Sequence, residues 1–127
     1  MHHRRGLTES STEHAQWLGG LDFYRSEIGV LEQRLQAFAS SGMDSDVARE
    51  VEHFQNQFII QRNTIDELRH AIREHVSGFG HAVAEAGAMA AGISDDGHAP
   101  LKDGYESFEK VIQELRQEFN HFLAGRG

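Results

Sequence analysis

The sequence predicts an all-α fold of three helices, with a long central helix and antiparallel, coiled-coil-like packing. Two observations carry this. Apolar residues recur in alternating steps of four and three along nearly the whole chain. No stretch alternates with period two, and no turn dipeptide separates β-branched runs, so strands and hairpins have no support.

The first helix is expected over about residues 10–40. Ser10 and Glu13 have the spacing of a capping box. Residues 1–9 are read as a flexible tail, leaving residues 10–127 as a single helical domain. The tail is positively charged but has no apolar h-region, so it does not read as a signal peptide. The seam of this helix is Trp17, Leu21, Tyr24, Ile28, Leu31, Leu35 and Phe38. Gly42 then acts as a stop and Asp44 as the next N-cap.

The second helix is expected over 45–92, with Val47, Val51, Phe54, Phe58, Ile65, Leu68 and Ile72 on its seam. Phe79, Ala82, Ala86 and Met89 continue that phase. At ~1.5 Å per residue such a helix is ~70 Å long. Gly78 and Gly80 each cost ~1 kcal/mol inside a helix. A break there would give a compact four-helix monomer, but the unbroken phase favours continuity. The third helix is expected over 99–124, with Pro100 in its first turn and Tyr105, Phe108, Ile112, Leu115, Phe119 and Phe122 on its seam.

Short joints place the first helix beside the first half of the second, and the third beside its second half. Each pairing is then only two helices thick, the flanking helices meeting near residues 66–76. A homodimer would complete four-helix cross-sections. Phe23, Val30, Ile59 and Ile60 fall outside the seams and are the expected dimer interface.

Composition narrows the function classes. The 127 residues carry 12 basic and 20 acidic side chains, a net charge of -8. That balance opposes binding to nucleic-acid phosphates. An acidic inhibitor of a nucleic-acid enzyme rests on charge alone and ranks last. No apolar run reaches the length of a membrane span, and a cytoplasmic location is expected. There is no cysteine, hence no thiol nucleophile or thiolate metal site. No phosphate loop, dinucleotide fingerprint or nucleophile elbow is present, and no catalytic residue is assigned.

Two seam positions are polar. Gln61 comes level with Tyr24 when the first two segments fold as a hairpin. The pair reads as a polar layer that fixes register. His75 sits where all three segments are expected to converge, with Glu13, His14 and Trp17 from the first and Glu118 and His121 from the third. Imidazoles and carboxylates from three helices suit Zn or Fe, with His14, His70, His75 and Glu118 as the candidate ligands. Hydrogen-bonded core histidines are the competing account. Glu-x-x-His also occurs at Glu50/His53, Glu67/His70 and Glu118/His121. That spacing occurs in ferritin-like di-iron bundles, but here the histidines fall off the seam and no ligand set is carried over.

The leading expectation is therefore a non-enzymatic helical bundle that needs no cofactor. It would act through self-association as a homodimer and through contacts with protein partners. The alternative is a metal-binding bundle.

Overall fold

The computed structural model describes the backbone of residues 2–86 and 98–126, and the side chains of 12–78 and 98–125. Three helices account for it: α1 (His2–Ala39), α2 (Ser45–Ala86) and α3 (His98–Arg126). Among the described residues there is no strand.

The first joint follows from its residues. Gly42 adopts φ of 100°, a left-handed conformation that costs glycine little and other residues more. Ser40 and Ser41 turn their hydroxyls back onto the carbonyls of Ala37 and Phe38, capping the end of α1. Asp44 then accepts the Val47 N–H at 2.8 Å, satisfying one of the free donors at the start of α2. Pro100 stands in the first turn of α3, where an N–H would have no helical partner.

One boundary differs from expectation, and the continuity expected of α2 is observed as far as it is described. α1 starts at His2 rather than near Ser10, so residues 2–9 prolong the helix. They contain no proline and a single glycine, and nothing in them stops it. α2 runs through Gly78 and Gly80 to Ala86 without a corner. Of the expected seam residues, Phe79, Ala82 and Ala86 lie outside the described side chains and Met89 outside the described residues.

The buried residues are those of the seams. Leu21, Ile28, Phe58, Ile65, Ile72 and Phe119 have no exposed surface. Each contributes roughly 1.5–3 kcal/mol by leaving water. Gln61 is buried among them on α2.

The position of α3 differs from the expected one. It packs beside α1 on the N-terminal part of α2, not on the second half. The Phe119 ring lies 5.3 Å from both Phe54 and Phe58. Phe122 meets Phe38 at 5.1 Å, Phe108 meets Tyr24 at 5.6 Å, and Tyr105 stacks on Trp17 at 6.1 Å. α1 and α3 therefore run parallel, and α2 runs antiparallel to both. Two helices alone would leave Phe54 and Phe58 uncovered on one side, and α3 closes that side. α2 passes the His75 layer and continues to Ala86, while His98 opens α3 back at that layer.

Close fit occurs where α3 meets its neighbours. A Cβ on Gly20 would lie 1.9 Å from the Tyr105 hydroxyl oxygen, so only glycine fits there. A Cβ on Gly104 would meet Leu68 at an ordinary 3.4 Å. Ion pairs edge the bundle. Asp22, Arg25 and Glu32 of α1 pair with Arg69, Asp66 and Arg62 of α2. Toward α3, Glu27 pairs with Arg116 at 2.8 Å and Arg34 bonds Asn120 at 3.2 Å.

Candidate functional site

Three imidazoles, one from each helix, meet at the end of the core. His14 is 5% exposed and occupies a seam position of α1. The His75 ring approaches it edge-on, with centroids 5.4 Å apart. His98, in the first turn of α3, brings Nδ1 within 3.2 Å of His14 Nε2 and Nε2 within 3.1 Å of Glu13 Oε1. Lys102 stands 3.9 Å from the other Glu13 oxygen. Trp17 closes the layer below, 5.0 Å from the His98 ring. With Glu13 unprotonated, His98 Nε2–H donates to it, which fixes the orientation of the His98 ring.

Sequence reasoning placed His14, His75, Glu13 and Trp17 in one layer, and the structure brings them together. It missed His98, which the joint "SDDGHAP" obscured. The signal was present: His98 lies seven residues before Tyr105, in phase with the seam of α3. The other two candidate ligands are elsewhere. His70 is exposed and pairs with Glu74 on its own helix at 3.1 Å. Glu118 lies at the opposite end of the bundle, because α3 docks on the other half of α2 from the one expected. The set His14, His70, His75 and Glu118 is thus not assembled. Among the described residues no group of three or more His, Asp or Glu side chains is placed to hold a metal ion.

The polar layer is also rearranged. Tyr24 donates its hydroxyl to Glu109 Oε2 at 2.8 Å and lies 3.5 Å from Gln113 Nε2, both on α3. It does not bond Gln61 among the described contacts, since α3 supplies partners that the hairpin alone lacks. Burial raises the Tyr24 hydroxyl pKa above the usual tyrosine value, with the Glu109 carboxylate adding to the rise and Gln113 opposing it. The Tyr105 hydroxyl is pushed up to about 12, chiefly by burial and then by the negative charge of Glu109. Both phenols stay neutral and serve as packing and hydrogen-bonding groups.

Two grooves mark the far end. Arg49, Glu50, His53, Glu118 and His121 rim a groove of about 520 Å³ between α2 and α3, over Phe54 and Phe122. Two of the three Glu-x-x-His units thus line one groove. Gln55, Asn56 and Ile59 of α2 line a second, of about 370 Å³, against Glu32, Leu35 and Gln36 of α1.

The four residues expected at a dimer interface are all exposed: Phe23 by 59%, Val30 by 55%, Ile59 by 53% and Ile60 by 49%. They do not form one patch. Phe23 and Val30, seven residues apart, lie on the back of α1, between the flank paired with α2 and the flank paired with α3. Ile59 edges the groove between α2 and α1, and Ile60 follows it on the outer side of α2. Val76 and Val111 add further exposed apolar surface. Among the described residues no helix is long and apolar enough to cross a membrane.

No family model matches the chain. No solved structure matches it either. Among curated proteins it is similar to the methyl-coenzyme M reductase II subunit alpha of Methanothermobacter thermautotrophicus and to that of Methanothermobacter marburgensis, 28% identical to each over 126 residues. The match covers 96% of this chain but 19% of each relative. The chain therefore spans about a fifth of the length of the curated relatives it matches, and the likeness establishes no family.

Proposed function

We propose that this chain is a non-catalytic helical module that acts through contacts with proteins, the first of them a second copy of itself. One observation supports the reading. Phe23, Val30, Ile59 and Ile60 stay about half exposed or more although the three seams already bury a continuous core. Scattered single apolar residues are ordinary on a surface. Here they recur on two adjacent helices, and fully burying an exposed side chain of this size is worth roughly 1.5–3 kcal/mol.

α3 supplies a third helix to the cross-section, so the exposed apolar residues alone call for a second copy. Both similar proteins are named as a subunit, a component of a larger assembly. That agrees with a contact role and assigns no residue here. Sedimentation equilibrium from submicromolar to ~100 µM tests the reading, in the range where small interfaces dissociate. A mass rising with concentration above 14.3 kDa supports it, and a constant 14.3 kDa removes it.

A further inference from the structure

We propose that the outward face of α1 pairs antiparallel with the same face of a second copy. The inference deepens the self-association reading, on which it rests, by naming the surface and its orientation.

The distribution of charge points to this face. Between Ala15 and Ser40 the charged residues are Asp22, Arg25, Glu27, Glu32 and Arg34. Every one of them is bonded to α2 or α3. What faces outward is Gly19, Phe23, Ser26, Val30, Gln33 and Ala37, all exposed and all uncharged. Their steps alternate four and three, so α1 carries a second seam opposite the first. It spans about 27 Å at ~1.5 Å per residue. The backs of α2 and α3 instead expose charge, such as Glu52, Glu67 and Glu74 on one and Asp103, Glu106 and Glu114 on the other. Two copies each carrying -8 repel one another through those faces and can meet through the uncharged one.

The glycines agree. Gly20 is required by Tyr105, but a Cβ on Gly19 would meet nothing within 4 Å. A mid-helix glycine disfavours the helix relative to alanine; Gly29 is as open as Gly19, but of the two only Gly19 is exposed and on the uncharged face. A second backbone approaching closely would offset that cost at Gly19.

Size alternation sets the direction. In an antiparallel pair with its two-fold axis between Tyr24 and Arg25, Val30 of each copy faces Gly19 of the other, and Phe23 faces Ser26. Large meets small in both of these central layers, as knobs require holes, and Gln33 and Ala37 fall opposite Gln16 and Thr12 further out. A parallel pair would set Phe23 on Phe23 and Gly19 on Gly19, alternately crowded and empty. A stripe ~27 Å long on a helix ~10 Å wide is a small interface, so the dimer dissociates in the micromolar range.

The chain has no cysteine, which makes the test clean. Gly19→Cys and Val30→Cys chains are prepared separately, then oxidised alone and mixed, at concentrations where the parent chain is dimeric. A disulfide-linked dimer in the mixture and none in either chain alone is expected. Like positions would be ~16 Å apart in the antiparallel pair, beyond the ~7 Å that a disulfide spans. Phe23→Glu is expected to sediment near 14.3 kDa with unchanged helicity. Homodimeric crosslinking of Gly19→Cys, or a Phe23→Glu chain that still dimerises, overturns this interface and leaves self-association standing. A parent chain that stays monomeric overturns both.

Discussion

Replacing Gly20 with alanine and comparing it with the same change at Gly19 separates helix propensity from packing. Both glycines lie within α1, and each Gly→Ala exchange favours the helix by up to ~1 kcal/mol. At Gly19 a methyl would meet nothing within 4 Å, so the whole of that gain is expected. At Gly20 the new methyl would sit 1.9 Å from the Tyr105 hydroxyl and 3.0 Å from the ring carbon bearing it. Tyr105 is buried between Trp17 and Glu109 and cannot swing away freely. Forcing extra volume into a packed site costs roughly 1–3 kcal/mol. Gly20→Ala is thus neutral to ~2 kcal/mol destabilising, and the two variants differ by ~1–3 kcal/mol. For a chain of this size the melting temperatures should differ by roughly 5–10 °C. Thermal unfolding followed by circular dichroism, at concentrations below self-association, reads the difference. Tyr105→Phe removes the atom that collides, so it should recover much of the loss in the Gly20→Ala background. A Gly20→Ala chain as stable as Gly19→Ala, or additive Gly20→Ala and Tyr105→Phe effects, would refute the docking of α3 on α1.

Other outcomes follow from the same structure. Phe58→Ala and Phe119→Ala each empty a fully buried site and should cost about 3–5 kcal/mol in urea unfolding. Asp44→Ala removes the N-cap of α2 and should cost ~0.5–2 kcal/mol by the same assay, with Asp44→Asn retaining most of the stability. The Tyr105 phenol, pushed up to about 12, binds its proton more tightly folded than unfolded. Its stabilising contribution is complete below pH ~10 and declines by at most ~1.4 kcal/mol per pH unit as pH rises toward the folded value. Tyr24 acts in the same direction. Unfolding measured across alkaline pH should show the decline, and Tyr105→Phe should reduce it.

The faces of the helices were legible in the sequence, and the arrangement of the helices was not. The four-three rhythm identified Trp17 through Leu35, Phe54 through Ile72 and Tyr105 through Phe122 as core, because burial on a helix obeys its 3.6-residue period. The turn chemistry of Gly42 and Asp44 was equally plain, since φ above zero and an orphan N–H each call for particular residues. A seam does not say which length of a long partner it covers. Phe108 and Phe119 could pack on either half of α2 with the same periodicity. The choice was made on an assumed short joint before α3, and the error carried Glu118 to the wrong end. It also assigned Gln61 to Tyr24, whose actual partners on α3 were then far away. His14 and His75 were found because both occupy seam positions on helices whose pairing was read correctly. His98 escaped because its turn-rich surroundings concealed its place in the rhythm of α3.

The account depends most on α1 and α3 lying side by side, parallel, on the same half of α2. Arg34 and Asn120 are exposed, and their side chains meet at 3.2 Å across that contact. An Arg34→Cys, Asn120→Cys double variant, treated at high dilution with a short bis-maleimide, measures it directly, because an arginine side chain reaches further than a disulfide spans. The account predicts a crosslink within one chain and a helical spectrum unchanged from the parent. A chain that forms only intermolecular links would place α3 on the far half of α2, about 30 Å away along the helix, and contradict it.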